Sequence, residues 1–408
     1  MMRYWKLITI MVVVVLSIGS YYIESAITGT NYPEFVFEHH SGNEEEVKNL
    51  ILDAQYINEL KHNMLQVTAE GTKYQNEESY LEGLESHVDD TIKQLQEDYP
   101  SFMRGKSEHS LAPFYENETI LVYVNQNTNS PDAEKSDFTL DIEVLDKGSG
   151  DRTAFTIKLP ETKDYQTMRI GDVQVIDGEM KIITRNFLHV AQTGYTSSEE
   201  IHVYNLDVAN QEVTSNEVIV SNAEPNNATV TYITIINEHG GINQNEYVLV
   251  HFDYMETVEH ENGSSNLEQI GRELIAYNLE TNEQEELDLP EALQDSLHTA
   301  LLSDSTIYFN KLTETGVEIL TYDLNSKEIE TEKVLEDTAA FEVEPHMAVK
   351  NDNMYLTSKY KYTDSHAAIF VVDLTEGDIL YEGAVEMKDQ QAEKEEEDVL
   401  YIDDMLIE

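Results

Sequence analysis

Glu273-Leu-Ile-Ala-Tyr277-Asn-Leu-Glu-Thr-Asn282 reads as a β-strand that runs into a tight polar turn, with a second strand resuming beyond it. The phrase recurs as Glu200-Ile-His-Val-Tyr204-Asn-Leu-Asp and as Glu318-Ile-Leu-Thr-Tyr322-Asp-Leu-Asn. A fourth copy is Ala368-Ile-Phe-Val-Val372-Asp-Leu-Thr-Glu-Gly377. Such recurrence identifies an architecture, since one supersecondary unit is being repeated.

Working outward, each phrase is preceded by an earlier strand and a variable polar loop. Val173–Ile183 precedes Ile201–Leu206, and Glu246–Phe252 precedes Leu274–Leu279. Ser305–Phe309 precedes Ile319–Leu324, and Asn353–Thr357 precedes Ile369–Leu374. A weaker first copy pairs Ile120–Val124 with Leu140–Leu145. The markers Tyr204, Tyr277, Tyr322 and Val372 stand 73, 45 and 50 residues apart. The long interval holds Met255–Gln269, rich in Glu, Asn, Gly and Ser, which reads as a protruding loop.

A unit near 45 residues with about four strands resembles a blade of the β-propeller repeat proteins, of the loosely patterned sort. The resemblance covers residues 113–408 and names no subfamily: no Trp-Asp dipeptide or kelch double-Gly occurs, and the only tryptophan is Trp5. It implies a mostly β fold of six or seven blades. The ending Leu400-Tyr-Ile-Asp-Asp-Met-Leu-Ile-Glu408 aligns with Val175–Ile183, so the chain ends on one strand of a further unit. A lone strand leaves backbone groups unpaired, and strands from 30–74 are the obvious supply for a composite last blade. The alternative architecture is a β-sandwich or α+β ectodomain.

Composition bounds the function. The chain has 408 residues, 40% of them hydrophobic, enough for a large core. With 80 acidic against 25 basic residues the formal charge is −55, a field that repels nucleic acid and anionic headgroups. It suits a saline or alkaline exterior and weak, screening-type cation binding. Disorder fits poorly with 24 Tyr and 11 Phe set among alternating β-branched residues. The absence of cysteine excludes disulfides, thiolate zinc sites and a cysteine nucleophile.

Three segments precede the repeats of 113–408. Residues 1–6 carry Arg3 and Lys6 and form a short cytoplasmic start. Residues 7–23 are an uncharged apolar run, adequate for a membrane span. Acidic Glu24, Glu34 and Glu38 follow before the next basic residue, Lys48, so the positive-inside rule places the remainder outside the cell. Trp5, Tyr21 and Tyr22 flank the run as interfacial aromatics do. The competing reading is a cleaved signal peptide, but cleavage at Ala26 would set Glu24 where a small residue belongs. Residues 24–112 then form a juxtamembrane helix-and-strand segment. One helix is expected over Asn43–Leu52, with Asn43 as its cap. A second is expected from about 77 to Tyr99, with one stripe of Leu81, Leu84, Val88, Ile92, Leu95 and Tyr99, stopped by Pro100. Met64–Tyr74 alternates as a strand.

No residue set identifies a catalytic, cofactor-binding or metal site. Asp89-Asp90 and Asp403-Asp404 are pairs expected by chance among so many acids. Glu38-His39-His40 lacks a third ligand at metal spacing and reads as a solvated linker. Asn351-Asp-Asn353 is too short for a calcium loop. Ser358 and Lys361 match Ser-x-x-Lys on a strand end, where the pair does not face one side. The repeated tyrosines read as core. Binding surfaces are expected in the non-repeating Met255–Gln269, Phe187–Ser198 and Ser358–His366. The sequence thus describes a single-pass, signal-anchored protein of a bacterial envelope, extracytoplasmic beyond the span. Its expected role is interaction or sensing through a protein partner in or near the membrane. Alternatives are a polysaccharide- or peptide-cleaving enzyme and a binding protein for a cationic solute.

Overall fold

The computed structural model describes residues 32–58, 61–75, 90–106, 110–128, 137–188, 198–222, 229–236, 242, 245–259, 265–294, 296–335, 341, 343–362, 367–388 and 399–407. The apolar run 7–23 and its flanks lie outside these residues. Among the described residues no helix is long and apolar enough to cross a membrane.

The protein is mostly β. In chain order the strands are β1 (Phe35–Gly42), β2 (Leu50–Asn58), β3 (Lys61–Thr68), β4 (Gly71–Tyr74), β5 (Phe114–Glu116), β6 (Ile120–Thr128), β7 (Phe138–Asp146) and β8 (Arg152–Lys158). There follow β9 (Tyr165–Ile176), β10 (Glu179–Leu188), β11 (Glu199–Asp207), β12 (Glu212–Ser221), β13 (Thr229–Ile235), β14 (Tyr247–Glu259), β15 (Ser265–Asn278) and β16 (Glu283–Glu286). The remainder are β17 (Leu301–Ser303), β18 (Thr306–Thr313), β19 (Gly316–Asp323), β20 (Glu328–Leu335), β21 (His346–Lys350), β22 (Asn353–Thr357), β23 (Tyr360–Tyr362), β24 (Ala367–Asp373), β25 (Ile379–Met387) and β26 (Val399–Ile407). They form six antiparallel sheets. Four are consecutive four-stranded meanders, β5–β8, β9–β12, β13–β16 and β17–β20. The other two have five strands, in the orders β1-β25-β24-β22-β21 and β23-β26-β2-β3-β4. Six sheets of this size are consistent with a six-bladed propeller.

The chain divides into two compact units. One takes its described residues from Met1–His87, Asn310–Glu318 and Lys333–Glu408, the other from Val88–Phe309 and Ile319–Glu332. In the first, the last strand β26 is completed by N-terminal β2, from Leu50 opposite Ile407 to Ile57 opposite Val399. β1 likewise closes on β25, from Phe35 opposite Met387 to Gly42 opposite Tyr381. The composite expectation therefore holds, and it holds for two sheets. The alignment of 400–408 with 175–183 does not. Val399–Ile407 is one continuous strand, whereas 175–183 folds back at Asp177-Gly178, whose positive φ of 52° and 84° makes a tight hairpin turn.

The recurring phrase has a physical basis. In five sheets the third strand ends on Asp146, Asp207, Asn278, Asp323 or Asp373. In each, Oδ1 accepts the backbone N–H three residues on: Ser149 at 2.7 Å, Asn210 at 2.9 Å, Thr281 at 2.8 Å, Ser326 at 2.6 Å and Glu376 at 3.0 Å. The residue after that is left-handed, at Gly150, Gln211, Asn282, Lys327 and Gly377. These backbone donors hold the carboxyls of Asp146, Asp207, Asp323 and Asp373 below the usual carboxylate range.

Strand alternation sends each face to a different core. On β11, Ile201 and Val203 join β13 and β14 side chains such as Ile235 and Val250. Tyr204 and Leu206 join Val124 and Leu140 of the preceding sheet. The repeat positions Tyr204, Tyr277, Tyr322 and Val372 are all buried, as core residues.

Three expectations are corrected. Asn43–Leu52 is not one helix: Asn43 caps a single 3-10 turn, Glu44–Val47, and β2 begins at Leu50. The run Leu50-Ile-Leu favours a buried strand, with Leu50 and Leu52 fully buried, and four acidic or apolar residues cannot carry a helix beyond one turn against it. Met255–Gln269 is not a protruding loop in its described parts but the arms of a hairpin, paired from Met255 opposite Gln269 to Glu259 opposite Ser265. His39 and His40 stand on β1, not in a linker. Of the second helix, 76–89 lie outside the described residues. Its end is helix α1 (Asp90–Asp98), with α2 (Pro100–Met103) following. Ile92 and Leu95 pack with Phe102, Phe114 and Leu121, so this part serves its own unit's core.

Candidate functional site

On the β9–β12 sheet an apolar face turns polar at one end. Met180 and Ile182 of β10 are core, and the next residues of the same face are Thr184 and Asn186. Their cross-strand partners on β11 are His202 and Glu200, where the apolar face had Tyr204 opposite Ile182. All four stand on a surface where alternation predicts hydrocarbon. Buried polar groups are expensive unless paired, so such a change marks a built feature.

The groups converge. The Tyr165 hydroxyl donates to Glu200 Oε2 and lies 2.9 Å from His202 Nε2. His202 Nε2 is 3.2 Å from the same carboxylate oxygen, and its Nδ1 is 2.8 Å from Asn216 Oδ1. The Ser221 hydroxyl donates to Glu200 Oε1 at 2.7 Å. The His202 ring is fixed by an edge contact to Tyr165 and a stack on Tyr204 at 5.6 Å. Asn186 Nδ2 approaches the Tyr204 hydroxyl at 3.4 Å.

Burial pushes the Glu200 carboxyl up, but hydrogen bonds from Tyr165, Ser221 and His202 outweigh it and hold the group below the usual range. The Tyr165 phenol is pushed strongly up, first by burial and then by donation to the Glu200 carboxylate. Burial also raises the Tyr204 phenol to about 12. At neutral pH the site therefore presents a carboxylate beside two intact phenols.

Of this cluster, Tyr165, Glu200, His202 and Asn216 line a cleft of about 1110 Å³ between the β8 end, the 159–164 connection and the β11–β12 strands. Its acids are Asp137, Glu161, Asp164, Glu200 and Glu212, and its one lysine is Lys158. Lys158 Nζ lies 2.9 Å from Asp137 Oδ2. Among the described residues no group of three His, Cys, Asp or Glu could hold a metal ion.

The residues weighed from sequence lie elsewhere. Asp403 accepts from Gln55 Nε2 at 2.7 Å on the β2–β26 pair, and Asp404 accepts from the Met405 N–H. Ser358 Oγ accepts the Ala368 N–H at 3.0 Å, a strand-bracing bond. Asn351 and Asp352 form the β21–β22 turn with left-handed φ. Asp89, 189–197 and 363–366 lie outside the described residues. None of the described ones lines the cleft or joins its cluster, which sequence reasoning missed. A signal was present: two residues before the repeat marker, the four phrases read His202, Ile275, Leu320 and Phe370.

No protein-family model and no curated protein matches the chain. Similar solved structures include a luciferin-regenerating enzyme, 10% identical, covering 71% of this chain and 89% of its own, at a TM-score of 0.27. An ulvan lyase of polysaccharide lyase family 25 is 11% identical, covering 68% and 70%, at 0.31. A prolyl endopeptidase is 9% identical, covering 88% and 49%, at 0.30. These are β-propeller proteins. At such scores the likenesses carry no argument about activity.

Proposed function

We propose that the chain is a membrane-anchored, extracytoplasmic binding or sensing protein. Its six sheets are the blades of a propeller, and it engages a ligand or partner at the β8–β12 cleft without catalysis of its own. The cleft carries this reading: a carboxylate held ionised by three donors, set in a concavity whose other charged groups are mostly acids. Preorganised polar groups at the base of a large concave surface are what a binding site requires. The anchor rests on the uncharged run 7–23 with basic residues before it and acidic ones after it.

The test is topology in the producing cell. Full-length protein with a C-terminal epitope should stay with membranes through an alkaline wash, and protease added outside intact cells should remove the epitope. Release into the medium, or an epitope protected from external protease, overturns the reading.

One observation favours a second reading. Tyr165, Glu200 and His202 share a hydrogen-bonded centre, as acid–base groups of an envelope polysaccharide- or peptide-cleaving enzyme do. Cleavage of wall polymers by the wild type and not by His202→Ala would replace the first reading with this one.

A further inference from the structure

Resting on the cleft as a ligand site, we propose that its ligand carries an alkylammonium group. The ammonium seats on Glu200, and its methylene chain lies along Val213 and Val218.

Three observations support it. The first is a shortage of donors. A carboxylate offers about four acceptor sites, and Glu200 receives Ser221 on one oxygen and Tyr165 and His202 on the other. Its side chain is 14% exposed, which leaves room for one more donor from the cleft. An ammonium brings three N–H donors and no acceptor. The second is charge. Five carboxylates face one lysine around the cleft, and that lysine is already paired, so an anion is repelled and a neutral ligand leaves the charge unbalanced. The third is an apolar wall. Val218, 47% exposed, and half-buried Val213 both line the cleft along β12, a surface suited to methylenes rather than to a strongly hydrated compact cation.

The same chemistry comes from two sources, a free linear polyamine or a lysine side chain on a protein. Full-length protein in detergent would be titrated calorimetrically with spermidine, with a capped trilysine peptide and with a neutral chito-oligosaccharide. Glu200→Gln would be compared with Glu283→Gln, which removes an exposed acid on β16 away from the cleft. The expected result is amine binding that weakens about ten-fold or more in Glu200→Gln and less than about two-fold in Glu283→Gln. Spermidine binding alone identifies a free polyamine, and trilysine binding alone a protein ligand. Equal weakening in both variants overturns the proposal, because the general acidic field then holds the cation. Binding of the neutral oligosaccharide without the amines overturns it while leaving the cleft as a ligand site. If none of the three binds, both readings fall. Ser221→Ala guards against a misfolded variant: it keeps the charge, frees one Glu200 oxygen, and should weaken amine binding less than Glu200→Gln.

Discussion

Asp172 is enclosed within β9, with Gln174 Nε2 donating to one oxygen at 2.9 Å and the Val173 N–H to the other at 2.8 Å. Burial pushes its carboxyl up from 3.8 to about 7, and the two hydrogen bonds only partly oppose it. A raised acid favours the folded state only while protonated. Its contribution is complete below 3.8 and declines as pH climbs through about 7. Asp172→Asn should therefore raise the thermal midpoint by several degrees at pH 8, with the gain shrinking towards zero at pH 4. An equal gain at both pH values would count against a buried charge at this position. The cleft cluster belongs to the same scale, and here sequence reading succeeded least. Burial of Tyr204 and Tyr277 was legible from their repeated position, because core packing demands one residue type per repeat. His202 was legible only as the departure from that pattern. Nothing local tells that Tyr165, 37 residues earlier, folds onto it.

At the scale of elements, the third-strand turns explain why one phrase recurs without a fixed signature. The geometry asks for an Asx oxygen at the strand end and a left-handed residue four positions later. Glycine meets the second demand at Gly150 and Gly377, but Gln211 meets it with a φ of 56° that a side chain resists. Gln211→Gly should stabilise by about 1 kcal/mol, the difference between left-handed strain and glycine's greater unfolded entropy. Urea denaturation would show it as a higher midpoint at unchanged slope. A lower midpoint would mean that the glutamine side chain contributes more than its backbone strain costs. The strands and turns were legible because alternation and Asx chemistry are local. The helix expected at 43–52 was not, because its cap and acidic first turn were genuine. Pairing of Leu50–Asn58 with a strand from the far end of the chain then prevailed over local propensity.

For the molecule as a whole, a formal charge of −55 dominates. Self-repulsion of this size opposes compaction until salt shortens its range from about 30 Å at 0.01 M to about 3 Å at 1 M. The thermal midpoint should rise by many degrees between 10 mM and 1 M sodium chloride, and most of the rise should come below about 0.3 M. A midpoint independent of salt would show that local ion pairs already neutralise the surface. A range of six or seven sheets was legible from repeat spacing, but not that there are six, and the mixing of the two chain ends was legible from one orphan strand. The identity of the strands that complete it was legible only in outline.

That mixing also sets a timetable. Gln55 meets Asp403, 348 positions further along the chain, so β2 emerges from the ribosome long before its partner exists. At about 5–20 residues per second the wait is roughly 17–70 s. Throughout it, the strands of residues 35–74 are nascent edges with unfilled backbone valences, open to any other extended chain nearby. Until β26 is made those edges stay exposed to mispairing, and β26 acts as the clasp that closes them.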